Sequence, residues 1–204
     1  MATKRSRRKP RVMVLRFGHR IPRDERVTTH VCLTARALGA EGVYVSDVLD
    51  RGLVERINRV TEEFGGSFTI EAGKPWRSTV IEWRRTGGRI VHLTAYGIPL
   101  PKVVAKIRRD KADKLIVVGA EKVPGEIFGL ADWNVAVTNQ PISEVSALGI
   151  FLDWLFKHRR LEEQYSKLVS WSLQQRLQFQ LHLHHLQKMN LMNWNLMRKM
   201  QRLC

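Results

Sequence analysis

A chain of 204 residues that is 44% hydrophobic can bury one good core, with or without an appendage, so one main domain is expected. Its formal charge of +16 favours polyanions as partners, RNA or DNA ahead of acidic membranes. Two cysteines, Cys32 and Cys204, lie far apart with no CxxC or Cys/His spacing; they support neither a disulfide framework nor structural zinc and fit a reducing, cytoplasmic setting. No apolar run of about 18 residues and no charged-then-apolar leader is present, so neither a membrane span nor a signal peptide is expected.

The chain opens with MATKRSRRKPR, six basic residues in eleven. With nothing to bury, residues 1–10 are expected to form a disordered basic tail, either a solvated end or an arm for a polyphosphate. Residues 12–15 (VMVL) read as an apolar strand that delivers Arg16 to a glycine turn, Phe17-Gly18-His19-Arg20, with Arg23, Asp24, Glu25 and Arg26 close behind. An arginine carried by a strand into such a turn is an anion site in outline. A helix follows over about 24–38, with Val27, Val31, Thr34/Ala35 and Leu38 on one face and Gly39 as its stop. Residues 43–45 make a second strand. Leu53, Ile57, Val60 and Phe64 recur at helical spacing up to Gly65-Gly66. A third strand at 68–70, a helix at 76–85 closed by Gly87-Gly88, and a fourth strand at 90–93 continue the alternation. That strand ends in Thr94-Ala95-Tyr96-Gly97 and leads to a helix through Val103, Val104 and Ile107.

Residues 114–156 carry the densest chemistry. Two apolar runs, 115–118 and 135–137, each stop in a polar turn: Gly119-Ala120-Glu121-Lys122 after the first, Thr138-Asn139-Gln140-Pro141 after the second, with a helix starting at about Ser143. Six or seven strands separated by helices predict an α/β fold with right-handed crossovers and a mostly parallel sheet. Both turns then lie at the carboxyl edge, where open α/β sheets bind ligands, and a cofactor pocket is the leading hypothesis. Neither GxGxxG nor GxxxxGK[ST] occurs, so a pyrophosphate cradle is not expected. A ligand held through its base and amino-acid portion needs no such loop, and S-adenosylmethionine is one.

Four strings carry a resemblance: LRFGHRIPRDERVTTHV at 15–31, HLTAYG at 92–97, IVVGAEKVPGEIF at 116–128 and NVAVTNQPISEVSALGIFL at 134–152. In this order they resemble the archaeal tRNA cytidine 2'-O-methyltransferases of the SPOUT superfamily, over roughly residues 11–165. The resemblance implies a carboxyl-terminal deep trefoil knot, a homodimer, and methylation of the ribose of the T-loop cytidine at tRNA position 56. It implies S-adenosylmethionine bound by the turn after Leu93, by Gly119, Ala120, Glu121, Lys122 and Val123, and by Val137, Thr138, Asn139, Gln140, Pro141, Ile142, Ser143 and Glu144. Arg16 matches an arginine that handles the target phosphate and hydroxyl, and Ser146 a serine that lines the same site. Arg20, Arg23, Arg26 and Arg77 are candidates for tRNA backbone contact, with Trp76 available for stacking.

Each residue also has a plainer reading. Arg16 can pair with Asp24 or Glu25; His19 and His30 meet phosphate or nothing; Glu121 and Lys122 form a solvated turn; Asn139 bonds locally within its turn; Ser143 caps a helix. Past Glu163 the chain has no Asp or Glu and turns rich in Gln, Leu, His and Met, so residues 166–204 are read as an atypical tail, helical or aberrant. Two other functions stay open: a knotted methyltransferase acting on another RNA nucleotide, and a non-catalytic RNA-binding α/β protein.

Overall fold

The structure, a computed structural model, describes residues 9–119 and 123–162. The chain divides at residue 163, and every described residue belongs to the first unit. The expectations for the basic tail (apart from residues 9 and 10), for Ala120, Glu121 and Lys122, and for the atypical tail fall outside the described residues.

Strands and helices alternate as the periodicity predicts: β1 (Val12–Phe17), α1 (Glu25–Ala37), β2 (Gly42–Ser46), α2 (Arg51–Phe64), β3 (Thr69–Lys74), α3 (Trp76–Arg85), β4 (Arg89–Pro99), α4 (Leu100–Arg109), β5 (Lys114–Gly119), α5 (Glu126–Leu130), β6 (Trp133–Ala136) and α6 (Glu144–Phe156), followed by a 3-10 turn at Arg159–Leu161. The strands form one six-stranded sheet in the order β3-β2-β1-β5-β4-β6, and every neighbouring pair is parallel. From β1 the chain first moves outward through β2 and β3. It then crosses to the other side of β1, where β5 inserts between β1 and β4.

All six residues of β1 are buried because helices cover both faces of the sheet, which also explains why this strand reads as an unbroken apolar run. Val12 and Val14 join the larger core cluster with residues of α1, α2, α4 and α6; Met13, Leu15 and Phe17 pack with Val80, Trp83 and Ile127 of α3 and α5. With a side-chain period of two, Arg16 is directed to the α1 and α6 side with Val14. Asp50 caps α2 by accepting from the Leu53 amide at 2.9 Å, and Gly65, at φ 78°, ends the helix. Ser143 caps α6, accepting from the Val145 amide at 3.3 Å.

Beyond shifts in strand limits such as that of β3, which runs Thr69–Lys74, three details differ from the sequence expectation. The buried stripe of α1 is Thr28, Val31, Cys32 and Ala35, and Val27 is 38% exposed. Thr28 takes the inward place because its hydroxyl has a buried partner in His19, 2.9 Å away. The fourth strand does not end at residue 93: pairing continues to Pro99, and Leu93 and Ile98 both align with Val135, so residues 94–97 loop out between them. Gly97 makes this possible, since a Cβ there would lie 2.5 Å from the backbone N and C of Val135. The sixth strand runs Trp133–Ala136, two residues earlier at its start than the apolar run suggests, because Trp133 and Asn134 already pair with Val91 and His92.

Candidate active site

The carboxyl ends of β4 and β5 open into a cavity of about 690 Å³, beside the point where the strand order reverses. Its walls come from segments far apart in the chain. The outlooped residues Thr94, Ala95 and Tyr96 form one side. The end of β5 with Val123 and Phe128 forms another, and the start of α6 with Pro141 and Ile142 a third. Arg20, Arg23 and Asp24, from the loop after β1, close the rim. The Asn139 amide donates to the Ala95 carbonyl at 2.7 Å and so ties the turn after β6 to the outlooped residues. That bond is long-range, unlike the local turn bond of the plainer reading of Asn139.

Arg16, at the carboxyl end of β1, is fully buried, and its guanidinium donates to the Phe17 carbonyl. Its carboxylate partner is neither Asp24 nor Glu25. Glu144 Oε1, from the first turn of α6, lies 2.9 Å from Nη2, an ion-pair distance off the hydrogen-bond axis, and Nε has no hydrogen-bond partner. Burial lowers the pKa of Arg16, and the Glu144 charge opposes that shift. Arg16 is not itself part of the cavity wall; Glu144, whose side chain is 20% exposed, is.

His92, on β4 just before the outlooped residues, is buried on the cavity wall, with its ring edge-on to Phe128 at 4.7 Å. Asn134 spends its amide nitrogen on the Phe128 carbonyl at 2.9 Å, so its oxygen accepts from His92 Nδ1–H, also at 2.9 Å. That assignment leaves Nε2 as the unprotonated nitrogen. Burial lowers the pKa of His92, with the Asn134 bond opposing, and the ring is neutral at pH 7. His19 lies under the loop after β1, held between Thr28 Oγ1 and Asp50 Oδ2 at 2.9 and 3.0 Å. It is 2% exposed, so the expected phosphate contact is corrected to a buried structural role; His30 is exposed on α1.

Of the residues singled out for cofactor binding, Leu93, Gly119, Val123, Val137, Thr138, Pro141, Ile142 and Glu144 meet on the cavity wall. Asn139 braces it from behind, while Gln140 and the capping Ser143 are exposed outside the lining. Ser146 is exposed on α6 and the wall takes its neighbour Ala147 instead. Arg20 and Arg23 stand at the rim, with Arg20 Nε donating to Asp24 at 2.7 Å; this bond holds the Asp24 carboxyl below its usual pKa. Arg26 is exposed on α1, and Arg77 pairs with Glu126 at 2.7 Å beside the Trp76 ring, away from the cavity. Sequence reasoning did not single out His92, Phe128 or Asp24 as wall residues, and reached Tyr96 only as part of the turn after Leu93. The only signal for His92 and Tyr96 was their place in HLTAYG.

The wall suits a phosphate-free ligand. Its volume is in the range of about 300–1,000 Å³ usual for small-molecule sites. Leu93, Val137, Ile142 and Phe128 offer apolar contact and Thr94 and Thr138 hydroxyls, while the charges on the wall answer one another, Asp24 with Arg20 and Glu144 with Arg16. Gly119 brings the β5 backbone close: a Cβ there would lie 2.3 Å from Val123 Cγ2. Among the described residues no group of three or more His, Cys, Asp or Glu is placed to hold a metal, and no helix is long and apolar enough to cross a membrane.

A parallel α/β sheet with its ligand cavity at this edge has the fold of the SpoU-type methyltransferases: the SpoU methyltransferase AviRb from Streptomyces viridochromogenes, in complex with AdoMet, superposes with a TM-score of 0.51 at 16% identity, over 74% of this chain and 59% of that one. The sequence profile of the tRNA ribose 2'-O-methyltransferase family, aTrm56, matches residues 64–172. The chain is 47% identical to the tRNA (cytidine(56)-2'-O)-methyltransferase of Methanopyrus kandleri over 78% of this chain and 88% of that protein. It is 53% identical to the enzyme of the same name from Methanoregula boonei, over 70% of this chain and 80% of that protein. The chain belongs to the tRNA ribose 2'-O-methyltransferase (aTrm56) family.

Proposed function

We propose that this chain transfers the methyl group of S-adenosylmethionine to the ribose 2'-oxygen of cytidine 56 in tRNA. The observation that carries the reading is the convergence on one carboxyl-edge cavity of the outlooped 94–97 segment, the end of β5 and the start of α6, with arginines at the rim. S-adenosylmethionine supplies an already activated methyl group, so the protein's main task is alignment, which can contribute about 7–11 kcal/mol to lowering the barrier. Backbone groups of the outlooped 94–97 segment, of the end of β5 and of the turn after β6 hold the cofactor. Arg20 and Arg23 receive the phosphates beside the target ribose. As the bond from methyl to oxygen forms, the methyl–sulfonium bond breaks, S-adenosylhomocysteine leaves and the hydroxyl proton is released to solvent; Arg16 orients the hydroxyl and offsets the negative charge that develops as the proton departs, with Glu144 fixing where its guanidinium sits. To reach the ribose, Arg16 must be uncovered by movement of the Glu144 side chain. Ser146 belongs to this reading as a candidate wall residue of the RNA-bound state.

The reading includes the deep trefoil knot, a homodimer and a cytoplasmic setting. For the dimer, α6 presents Ile150 and Trp154, one turn apart, at 42% and 36% exposure.

The test is methyl transfer from labelled S-adenosylmethionine to an unmodified tRNA transcript, with the label located by nuclease mapping, for the native protein and Arg16→Ala. Label on the ribose of cytidine 56, lost in the variant, is the expected result. A folded native protein that labels no tRNA, or labels a base, would overturn the reading.

A further inference from the structure

The opposite edge of the sheet carries a second concavity that methyl transfer does not use. It has a volume of about 640 Å³ and opens where β1 begins, between the last turn of α4 and the residues that follow α6. Val12 and Leu155 lie on its floor, and its rim is basic. Lys9, Arg108, Lys111, Lys157 and Arg159 converge there, and none makes an ion pair among the described residues. The carboxylates on the wall are Glu41 and Asp110, and Asp110 is already engaged by Arg89 and Lys114 at 3.2 and 3.4 Å.

Part of this charge answers to the helix ends. Cations near a helix C-terminus offset the macrodipole, and Arg109 Nε donates to the Ala105 carbonyl at 3.3 Å. That need accounts for one or two cations per helix and leaves unexplained the convergence of two helix ends and the amino-terminal approach on one depression. Arg108 Nε is buried there without a hydrogen-bond partner. Lys9 continues a sequence in which six of the first eleven residues are basic. Like charges gathered in this way repel one another in the free protein, and a polyanion relieves the repulsion.

We propose that this amino-edge concavity is a second RNA contact, gripping the sugar-phosphate backbone of the tRNA at a distance from the target nucleotide. The inference rests on the reading of this chain as a tRNA methyltransferase. At about 3.3 Å per residue, the length of β1 separates the two edges by roughly 17–20 Å, a distance that a few RNA phosphates span. Flexible lysines and arginines without aromatic or amide partners suit phosphate contact, which sets position and affinity without reading bases. The cavity at the carboxyl edge selects the nucleotide, and the amino edge holds the rest of the RNA in register.

The full chain carrying Lys157→Glu and Arg159→Glu together tests this, beside an Arg59→Glu control on the exposed side of α2. Filter binding of an unmodified tRNA transcript across a salt series, calorimetry with S-adenosylmethionine, steady-state methyl transfer and sedimentation are read on each protein. The double variant is expected to bind tRNA at least about 10-fold more weakly at low salt, with a log–log salt slope shallower by about 1.4–1.8 for two lost phosphate contacts. KM for tRNA rises, while kcat, cofactor affinity and the control stay unchanged. If native protein binds and methylates tRNA but the double variant shows the same slope and KM, the inference fails. A changed monomer–dimer balance with unchanged RNA binding would make this face a subunit contact and also overturn it. Native protein that neither binds nor methylates tRNA brings down the functional reading, and this inference with it.

Discussion

Arg16 Nη2 and Glu144 Oε1 meet 2.9 Å apart where the carboxyl end of β1 faces the first turn of α6, although the two residues lie on opposite sides of the chain's main domain in sequence. The arginine is fully buried and the glutamate reaches the cavity. The pair therefore joins the stability of the core to the state of the site.

Removing either partner has a different cost. Glu144→Ala leaves the guanidinium buried with only the Phe17 carbonyl, and breaking a buried pair in this way costs about 3–5 kcal/mol; the partial exposure of Glu144 places this case towards the lower end. Arg16→Met removes the charge together with its desolvation and keeps most of the volume, so it destabilises less while ending methyl transfer. Urea unfolding and transfer assays on both variants check this. An Arg16→Met protein less stable than Glu144→Ala would contradict it.

Gly97→Ala is expected to destabilise the protein by at least about 1–3 kcal/mol, because the new methyl group would press on the Val135 backbone, which has no rotamer by which to yield. Gly129→Ala is the contrasting case. It lies in α5 with nothing within 4 Å of the added Cβ, and the change is expected to be neutral or to stabilise by up to about 1 kcal/mol. Thermal melts of the two variants in one buffer give the comparison.

Stability should fall on mild acidification. His92 has a folded pKa below its ordinary value of 6.5, chiefly through burial, so between the two values the unfolded chain binds more protons. Its contribution is fully present above about pH 6.5 and is lost as the pH falls from there through the lowered folded value. A second loss follows in stronger acid: burial raises the Asp50 pKa, but the Leu53 amide and His19 outweigh it, and the lowered carboxyl is protonated only below its ordinary 3.8. Melting temperatures from pH 7.5 to 5 should decline in the native protein and decline less in His92→Asn. Equal declines would remove His92 from the account.

Tyr96 is 88% exposed on the outlooped segment beside the cavity. Tyr96→Ala should leave the melting temperature within error and raise KM for tRNA about 10-fold, the size expected for one lost base stack of about 1–3 kcal/mol. An unchanged KM would show that the ring does not meet the RNA.

The alternation of elements, the limits of α3 and the capping role of Ser143 were legible in the sequence because each depends on neighbours within a turn or two. The same holds for the end of β6, whose apolar run stops just before the polar turn at 138–141. The wall residues Leu93, Gly119 and Thr138 could be named from that pattern together with the family resemblance. His19 was misread because its partners, Thr28 and Asp50, belong to α1 and to the cap of α2. The bond from Asn139 to the Ala95 carbonyl was out of reach for the same reason, its partner lying 44 residues earlier.

By itself, then, the sequence determined the alternation of strands and helices, that the sheet is parallel, and which family the chain resembles. Periodicity carries that information, because burial repeats at two or at three to four residues wherever a neighbour covers the chain. Only the tertiary structure decided that β5 inserts between β1 and β4, that Glu144 answers Arg16, that residues 94–97 loop out around Val135, and that five cations without an ion pair among the described residues gather at the amino edge. A hydrophobic pattern says that a residue has a partner but not which one, and strand order, set by the packing of the whole sheet, makes that choice.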